Sequence, residues 1–105
     1  MSKIGKKWSH EPFLIKRFDH SVEVYGYVNG PFGIDYRATV ERWILSHLPT
    51  GLRIGTGFRN LRIATKCAER IAPRHDFERF KEIKGRRKNK KVVETIRIIN
   101  RFETK

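Results

Sequence analysis

Residues 43–58, WILSHLPTGLRIGTGF, decide how this chain folds. Apolar runs over 41–48 and 52–58 flank the turn signal Pro49-Thr50-Gly51. Apolar runs that border a turn containing proline and glycine are typical of two antiparallel strands. A helical pattern begins shortly after Phe58, so the stretch predicts a unit of two strands followed by a helix.

The helix is predicted over about residues 61–72. Asn60 can cap its N-terminus through the side-chain oxygen, and Pro73 cannot continue it. Small and apolar side chains recur at helical spacing and are expected to face the sheet, at Leu61, Ala64, Ala68 and Ile71. An adjacent face carries a basic stripe, in which cations follow one another every four residues at Arg62, Lys66 and Arg70.

Further strand patterns precede this unit. Residues 13–15 are a short apolar run, and residues 22–28 alternate, with valines and Gly26 on one face and Tyr25 and Tyr27 on the other. The turn signal at residues 29–31, Asn-Gly-Pro, separates this strand from another apolar run at 32–36 and predicts a hairpin.

The two ends of the chain are basic. Residues 1–11 show no periodicity and predict a loose basic arm. Residues 84–91 hold six basic side chains in eight positions and are expected to form a solvated loop. Apolar spacing over 92–103 favours a helix, although its β-branched residues also allow a strand.

These patterns predict an α+β fold, with a small antiparallel sheet of three to five strands and one helix packed across it. A basic C-terminal helical segment is expected to pack on the same single domain. The predicted boundaries are an arm at 1–11, a sheet-plus-helix core at 12–75 and the C-terminal segment at 76–105.

The charge of the chain restricts its partners. Its 24 Lys and Arg residues against 11 Asp and Glu give a net charge of +13 over 105 residues. A field of this sign attracts nucleic acids, acidic membrane surfaces and acidic proteins. No apolar run approaches the roughly 20 residues that span a bilayer, and the N-terminus lacks the apolar core of a signal peptide. We therefore expect no membrane partner and a cytoplasmic location.

Motifs for chemistry are lacking. Cys67 is the only cysteine, which excludes an intramolecular disulfide, and its place on the apolar helix face predicts a buried, unreactive thiol. The histidines are spread without metal-ligand spacing, at His10, His20, His47 and His75. The glycines before the helix reproduce neither a dinucleotide nor a phosphate-loop pattern. We expect no enzymatic activity, no metal and no cofactor.

The string IGTGFRNLRIATKCA, residues 54–68, resembles the Apetala-type DNA-binding modules, including the N-terminal arm-binding domains of integrases. In those families a final strand ends in a glycine and an aromatic residue, a polar cap follows, and an alanine-rich helix packs on a three-stranded sheet. Trp43 matches an aromatic position on the preceding strand. The resemblance covers about residues 32–72 and implies that the exposed face of the sheet contacts DNA.

Candidate contact residues follow from this likeness and from the charge pattern. Arginines can bridge guanine acceptors or phosphates, and those of the sheet face are Arg37, Arg42 and Arg53, unless they form an ordinary solvated face. Phosphate contacts are predicted for the helix and for the basic run, at Arg62, Lys66, Lys84, Arg86, Arg87, Lys88, Lys90 and Lys91. The tyrosines Tyr25 and Tyr27 are expected either to stack on unpaired bases or to cover a second apolar surface.

The sequence thus predicts a non-catalytic nucleic-acid-binding protein that favours double-stranded DNA, of the kind that serves a bacteriophage or mobile element as an accessory or regulatory protein. Two alternatives stay open. One is a small basic module that binds or inhibits an acidic host protein, and the other is an RNA- or ribosome-binding protein. The oligomeric state is left open by the sequence.

Overall fold

The computed structural model describes residues 8–17, 19–49, 51–73 and 90–105. Five strands and two helices follow one another along the chain: β1 (Ser9–Arg17), β2 (His20–Asn29), β3 (Phe32–Arg37), β4 (Arg42–His47), β5 (Leu52–Phe58), α1 (Leu61–Ile71) and α2 (Lys90–Glu103). The strands form one antiparallel sheet in chain order, so each strand pairs with the next. The predicted α+β fold is confirmed, with five strands.

Helix α1 lies across one face of the sheet, which we call the helix side. Its N-terminus is capped as expected, because the backbone N–H of Ile63 donates to Asn60 Oδ1 at 2.8 Å. Its last residue is Ile71, two residues before Pro73. The core lies between α1 and the sheet and includes Phe32, Ile34, Leu45, Ile54 and Phe58 from the strands and Leu61, Ala64, Cys67, Ala68 and Ile71 from the helix.

We call the opposite face of the sheet the far side, and its middle is covered by the hairpin of β1 and β2. Strands β1 and β2 pair along their whole length, but β2 pairs with β3 only from Tyr27 onward. The rest of this hairpin curls over the far side, where Phe13 and Ile15 are buried. The backbone N–H of Lys16 donates to the carbonyl of Gly51 at 2.9 Å, which ties β1 to the β4–β5 turn.

This curl corrects the expectation of a free sheet face. Ile44 and Ser46 of β4 point to the far side and are almost completely buried. A groove of duplex DNA cannot reach side chains that the first hairpin already covers. The first hairpin therefore covers the middle of the far side, but Arg42 and Arg53 on that side remain exposed.

The N-terminal boundary also differs from the prediction. Strand β1 begins at Ser9 rather than at residue 12, and Trp8 belongs to the core, with 8% of its surface exposed. The indole N–H of Trp8 donates to Glu69 Oε2 at 3.2 Å. Residues 9–12 pair through their backbone while their side chains stay exposed, so their polar sequence looked like a loose arm.

The C-terminal segment forms a helix, as favoured by its apolar spacing. Thr95 and Ile99, four residues apart, are both buried against the rest of the protein. The helix starts at Lys90, inside the basic run, so the last two residues of the predicted loop belong to α2. Residues 1–7 and 74–89, which include most of that run, lie outside the described residues.

Cys67 is buried as predicted, and its burial has a measurable consequence. Desolvation, together with the nearby Glu103 carboxylate, raises the pKa of the thiol from 9.0 to about 12. At pH 8 both the folded and the unfolded thiol are mostly protonated, but three pKa units leave roughly a thousandfold less thiolate in the folded protein. We expect alkylation of native Cys67 by iodoacetamide to be at least about a hundredfold slower than in urea, as measured by mass spectrometry. Equal rates in both states would contradict a buried thiol.

Candidate nucleic-acid interface

The basic stripe of α1 is exposed along its length. Arg62, Lys66 and Arg70 all point away from the core, whose side of the helix is filled by the residues between them. Because an α-helix rises 1.5 Å per residue, the stripe spans about 12 Å. The stripe predicted from the four-residue spacing is thus present as a row of solvent-facing cations.

A cleft between α1 and α2 continues this row. It has a volume of about 220 Å³ and is lined by Arg70, Ile98, Arg101, Phe102 and Lys105. Three of the five lining residues are cations and none is acidic. Lys105 Nζ lies 4.7 Å from the centre of the Phe102 ring, so the apolar floor of the cleft carries positive charge above it.

Helix α2 is fixed in place by a contact that sequence reasoning missed. Strand β5 bulges opposite Trp43 and Leu45, where Gly55 and Gly57 have positive φ angles of 76° and 130°. The bulge turns its donors toward α2. Glu103 Oε2 accepts from the Thr56 backbone N–H, from Thr56 Oγ1 at 2.6 Å and from the Gly57 N–H at 3.1 Å.

This contact sets the direction of the cations in α2. With Glu103 and Ile99 turned toward the sheet, Arg101 and Lys105 line the cleft beside α1. Only the Gly-Thr-Gly bulge and an acidic residue in a late turn of α2 point to such a contact in the sequence. The 46 residues that separate Glu103 from Gly57 hide the pairing.

The three sheet arginines lie on the far side, away from the basic stripe. Arg37 Nε donates to Asp35 Oδ2 at 2.7 Å, and the two side chains are only 17% and 3% exposed. Arg37 is therefore part of an internal ion pair. Arg42 and Arg53 are exposed, and Arg42 Nη1 donates to the carbonyl of Glu41 at 3.0 Å. The structure thus separates these arginines from Arg62 and Lys66.

The two tyrosines lie on the helix side, opposite the sheet arginines. Tyr25 is 66% exposed, whereas Tyr27 is half-buried against the core. The Tyr27 ring lies 5.0 Å from that of His10 and 6.4 Å from that of Trp43, measured between centroids. The Tyr36 ring lies 5.2 Å from Trp43. We call the row His10, Tyr27, Trp43 and Tyr36 the aromatic ladder.

The remaining predicted phosphate contacts come from the basic run. Lys90 and Lys91 fall in the first turn of α2, and Lys84, Arg86, Arg87 and Lys88 lie outside the described residues.

Within residues 8–17, 19–49, 51–73 and 90–105, no three His, Cys, Asp or Glu side chains are grouped so that they could hold a metal ion. Neither α1 nor α2 is long and apolar enough to cross a membrane.

Comparison of the chain with protein-family models, with curated protein sequences and with solved structures gave no match.

Proposed function

We propose that this chain is a non-catalytic nucleic-acid-binding protein, with DNA favoured, and that it contacts the phosphate backbone through the basic stripe and the cleft between α1 and α2. The observation that carries the proposal is the cleft, in which Arg70, Arg101 and Lys105 converge without an acidic neighbour among the lining residues. Like charges held together repel one another, so such a group is stabilised when an anion binds between them.

The geometry of the surface fits a linear polyanion. Successive phosphates of one strand of B-form DNA rise about 3.4 Å along the helix axis and also rotate around it, so a stripe of about 12 Å is long enough to contact more than one phosphate. Arg70 belongs to both the stripe and the cleft, which makes the two cationic areas continuous. Arg37 is held in an internal ion pair, and Arg42 and Arg53 lie on the opposite face of the sheet from the basic stripe, so the proposal includes no base readout by these arginines.

Fluorescence anisotropy with labelled DNA across a salt series tests the proposal. We expect the double variant Arg70→Ala/Arg101→Ala to bind about tenfold more weakly than the wild type. The slope of its log K against log salt is expected to be smaller in magnitude by about two, as for the loss of two phosphate contacts. The matched control is Arg42→Ala/Arg53→Ala, which removes the same charge from the far side and is expected to retain nearly full affinity.

The other outcomes are informative as well. Equal losses in the two double variants would mean that affinity follows net charge alone and would contradict an interface at the cleft. No binding of the wild type to DNA or RNA at moderate salt would overturn the proposal and favour an acidic protein partner. Tighter binding to RNA than to DNA in the same titration would show that RNA, and not DNA, is the preferred polymer.

A further inference from the structure

The aromatic ladder crosses four consecutive strands of the sheet. His10 lies on β1, Tyr27 on β2, Trp43 on β4 and Tyr36 on β3, and the strand register brings them to the helix side. Neighbouring ring centroids are 5.0, 6.4 and 5.2 Å apart, with planes inclined by 62°, 45° and 57°. These separations lie within the range in which aromatic rings contact each other.

Two rings of the ladder are held against the core, and the other two are exposed to solvent. Tyr27 and Trp43 pack against the core, which holds their rings in place. Tyr36 is 49% exposed, and His10 is exposed as well. Tyr25 extends the surface, because it lies two positions before Tyr27 on the same face of β2. A rigid aromatic surface loses little conformational entropy when a flat ligand binds to it.

Arg62, the first cation of the basic stripe, lies on the side of α1 that faces this surface. Helix α1 begins three residues after Phe58, which pairs directly with Trp43 of the ladder. Glu69 on α1 accepts from Trp8, immediately before β1, so this side of the helix faces the start of β1. Arg62 precedes Glu69 by seven residues, nearly two full turns, and therefore shares that side of α1.

We propose that the aromatic ladder binds unpaired bases, and that the nucleic acid recognised by this protein is single-stranded along the ladder. Every base offers a π face for stacking on an aromatic ring, while the adjacent cations of α1 take the phosphates. A duplex keeps its bases stacked inside and can use only the cations. This inference rests on the proposed nucleic-acid binding and specifies that the bound nucleic acid is single-stranded at the ladder.

The test compares an oligothymidylate of about twelve nucleotides, within the length that small single-strand binders cover, with a duplex of equal length. We expect Tyr36→Leu to weaken single-strand binding about tenfold, as measured by anisotropy, and to leave duplex binding unchanged. Tyr36→Phe keeps the ring and is the matched control, expected to bind the single strand as the wild type does. Circular dichroism spectra of both variants establish that they are folded.

Tryptophan fluorescence supplies a second, independent readout. Trp43 belongs to the ladder, whereas Trp8 is buried in the core. We expect the oligothymidylate to quench the fluorescence of the wild type and to cause little quenching in Trp43→Phe, whose remaining tryptophan is Trp8, at an oligonucleotide concentration at which anisotropy shows the variant to be saturated. The duplex is expected to bind with little quenching.

The two proposals fail in different ways. If the wild type binds neither polymer, nucleic-acid binding itself is wrong, and the inference falls with it. If both polymers bind, but Tyr36→Leu matches Tyr36→Phe and quenching does not depend on Trp43, the inference is wrong while nucleic-acid binding stands. The ladder is then a cover for the core or a surface for another class of partner.

Discussion

Replacing Arg37 by Ala is expected to lower the free energy of unfolding by about 3 kcal/mol, at the lower end of the cost of breaking a buried ion pair. The Asp35 side chain is 3% exposed, and its Oδ2 accepts from Arg37 Nε at 2.7 Å. Asp35 Oδ1 has no hydrogen-bond partner in the part of the chain that the structure describes. Loss of the guanidinium therefore leaves a buried carboxylate without compensation.

Urea unfolding followed by circular dichroism measures this cost, and Arg42→Ala is the matched control. Arg42 is the cross-strand partner of Arg37 but is exposed, so its removal is expected to change stability by no more than about 0.5 kcal/mol. A double-mutant cycle with Asp35→Ala is expected to give a coupling energy above about 1 kcal/mol. Equal costs for Arg37 and Arg42 would show that the ion pair contributes nothing.

Arg37 is mostly buried in an ion pair, whereas Arg42 and Arg53 are exposed, and this difference shows which part of the site could be predicted. A basic residue on a strand is predicted to be solvated unless an acidic side chain two positions away lies on the same face. Asp35 lies on the same face as Arg37 in this way. The two-residue spacing places Asp35 and Arg37 on the same face of β3, but it does not show that this face is buried. Burial at this place depends on how the first hairpin curls over the far side, which the spacing within β3 does not indicate.

Local signals predicted the elements best. The cap at Asn60, the stop at Pro73 and the apolar spacing between them act within one helix, so they fixed α1 almost to the residue. The periodicity of 92–103 favoured a helix but left a strand open, and the helix α2 is stabilised by packing of one face against β5 and α1.

Long-range contacts account for what the sequence did not reveal. The cleft needs α2 to dock beside α1, and this docking depends on a contact between Glu103 and a bulge 46 residues earlier. The aromatic ladder needs the register of four strands. The sequence identified Tyr25 and Tyr27 as possible stacking residues from their alternation alone, but it gave no reason to join them to Trp43 or Tyr36.

The curl of the sheet itself predicts the second large effect, at Gly26. Pairing between β2 and β3 stops at Tyr27 and Ile34, and Gly26 is the residue at which β2 leaves the third strand. A Cβ added to Gly26 would collide with the carbonyl oxygen of Ile34 and would lie 3.1 Å from the Asp35 Cα. Backbone atoms cannot rotate aside, so we expect Gly26→Ala to cost about 3 kcal/mol, at the upper end for overpacking.

Gly30→Ala separates this close approach from ordinary backbone strain. Gly30 has a φ of 57°, a conformation that costs an alanine about 1 kcal/mol, but its added Cβ would meet nothing within 4 Å. Gly26 carries no such positive φ, so a ranking by backbone conformation alone would make Gly30 the more sensitive position. We expect urea unfolding to give the opposite order. If Gly26→Ala costs no more than Gly30→Ala, β2 does not approach β3 this closely, and the position of Tyr27 beside Trp43 loses its structural basis.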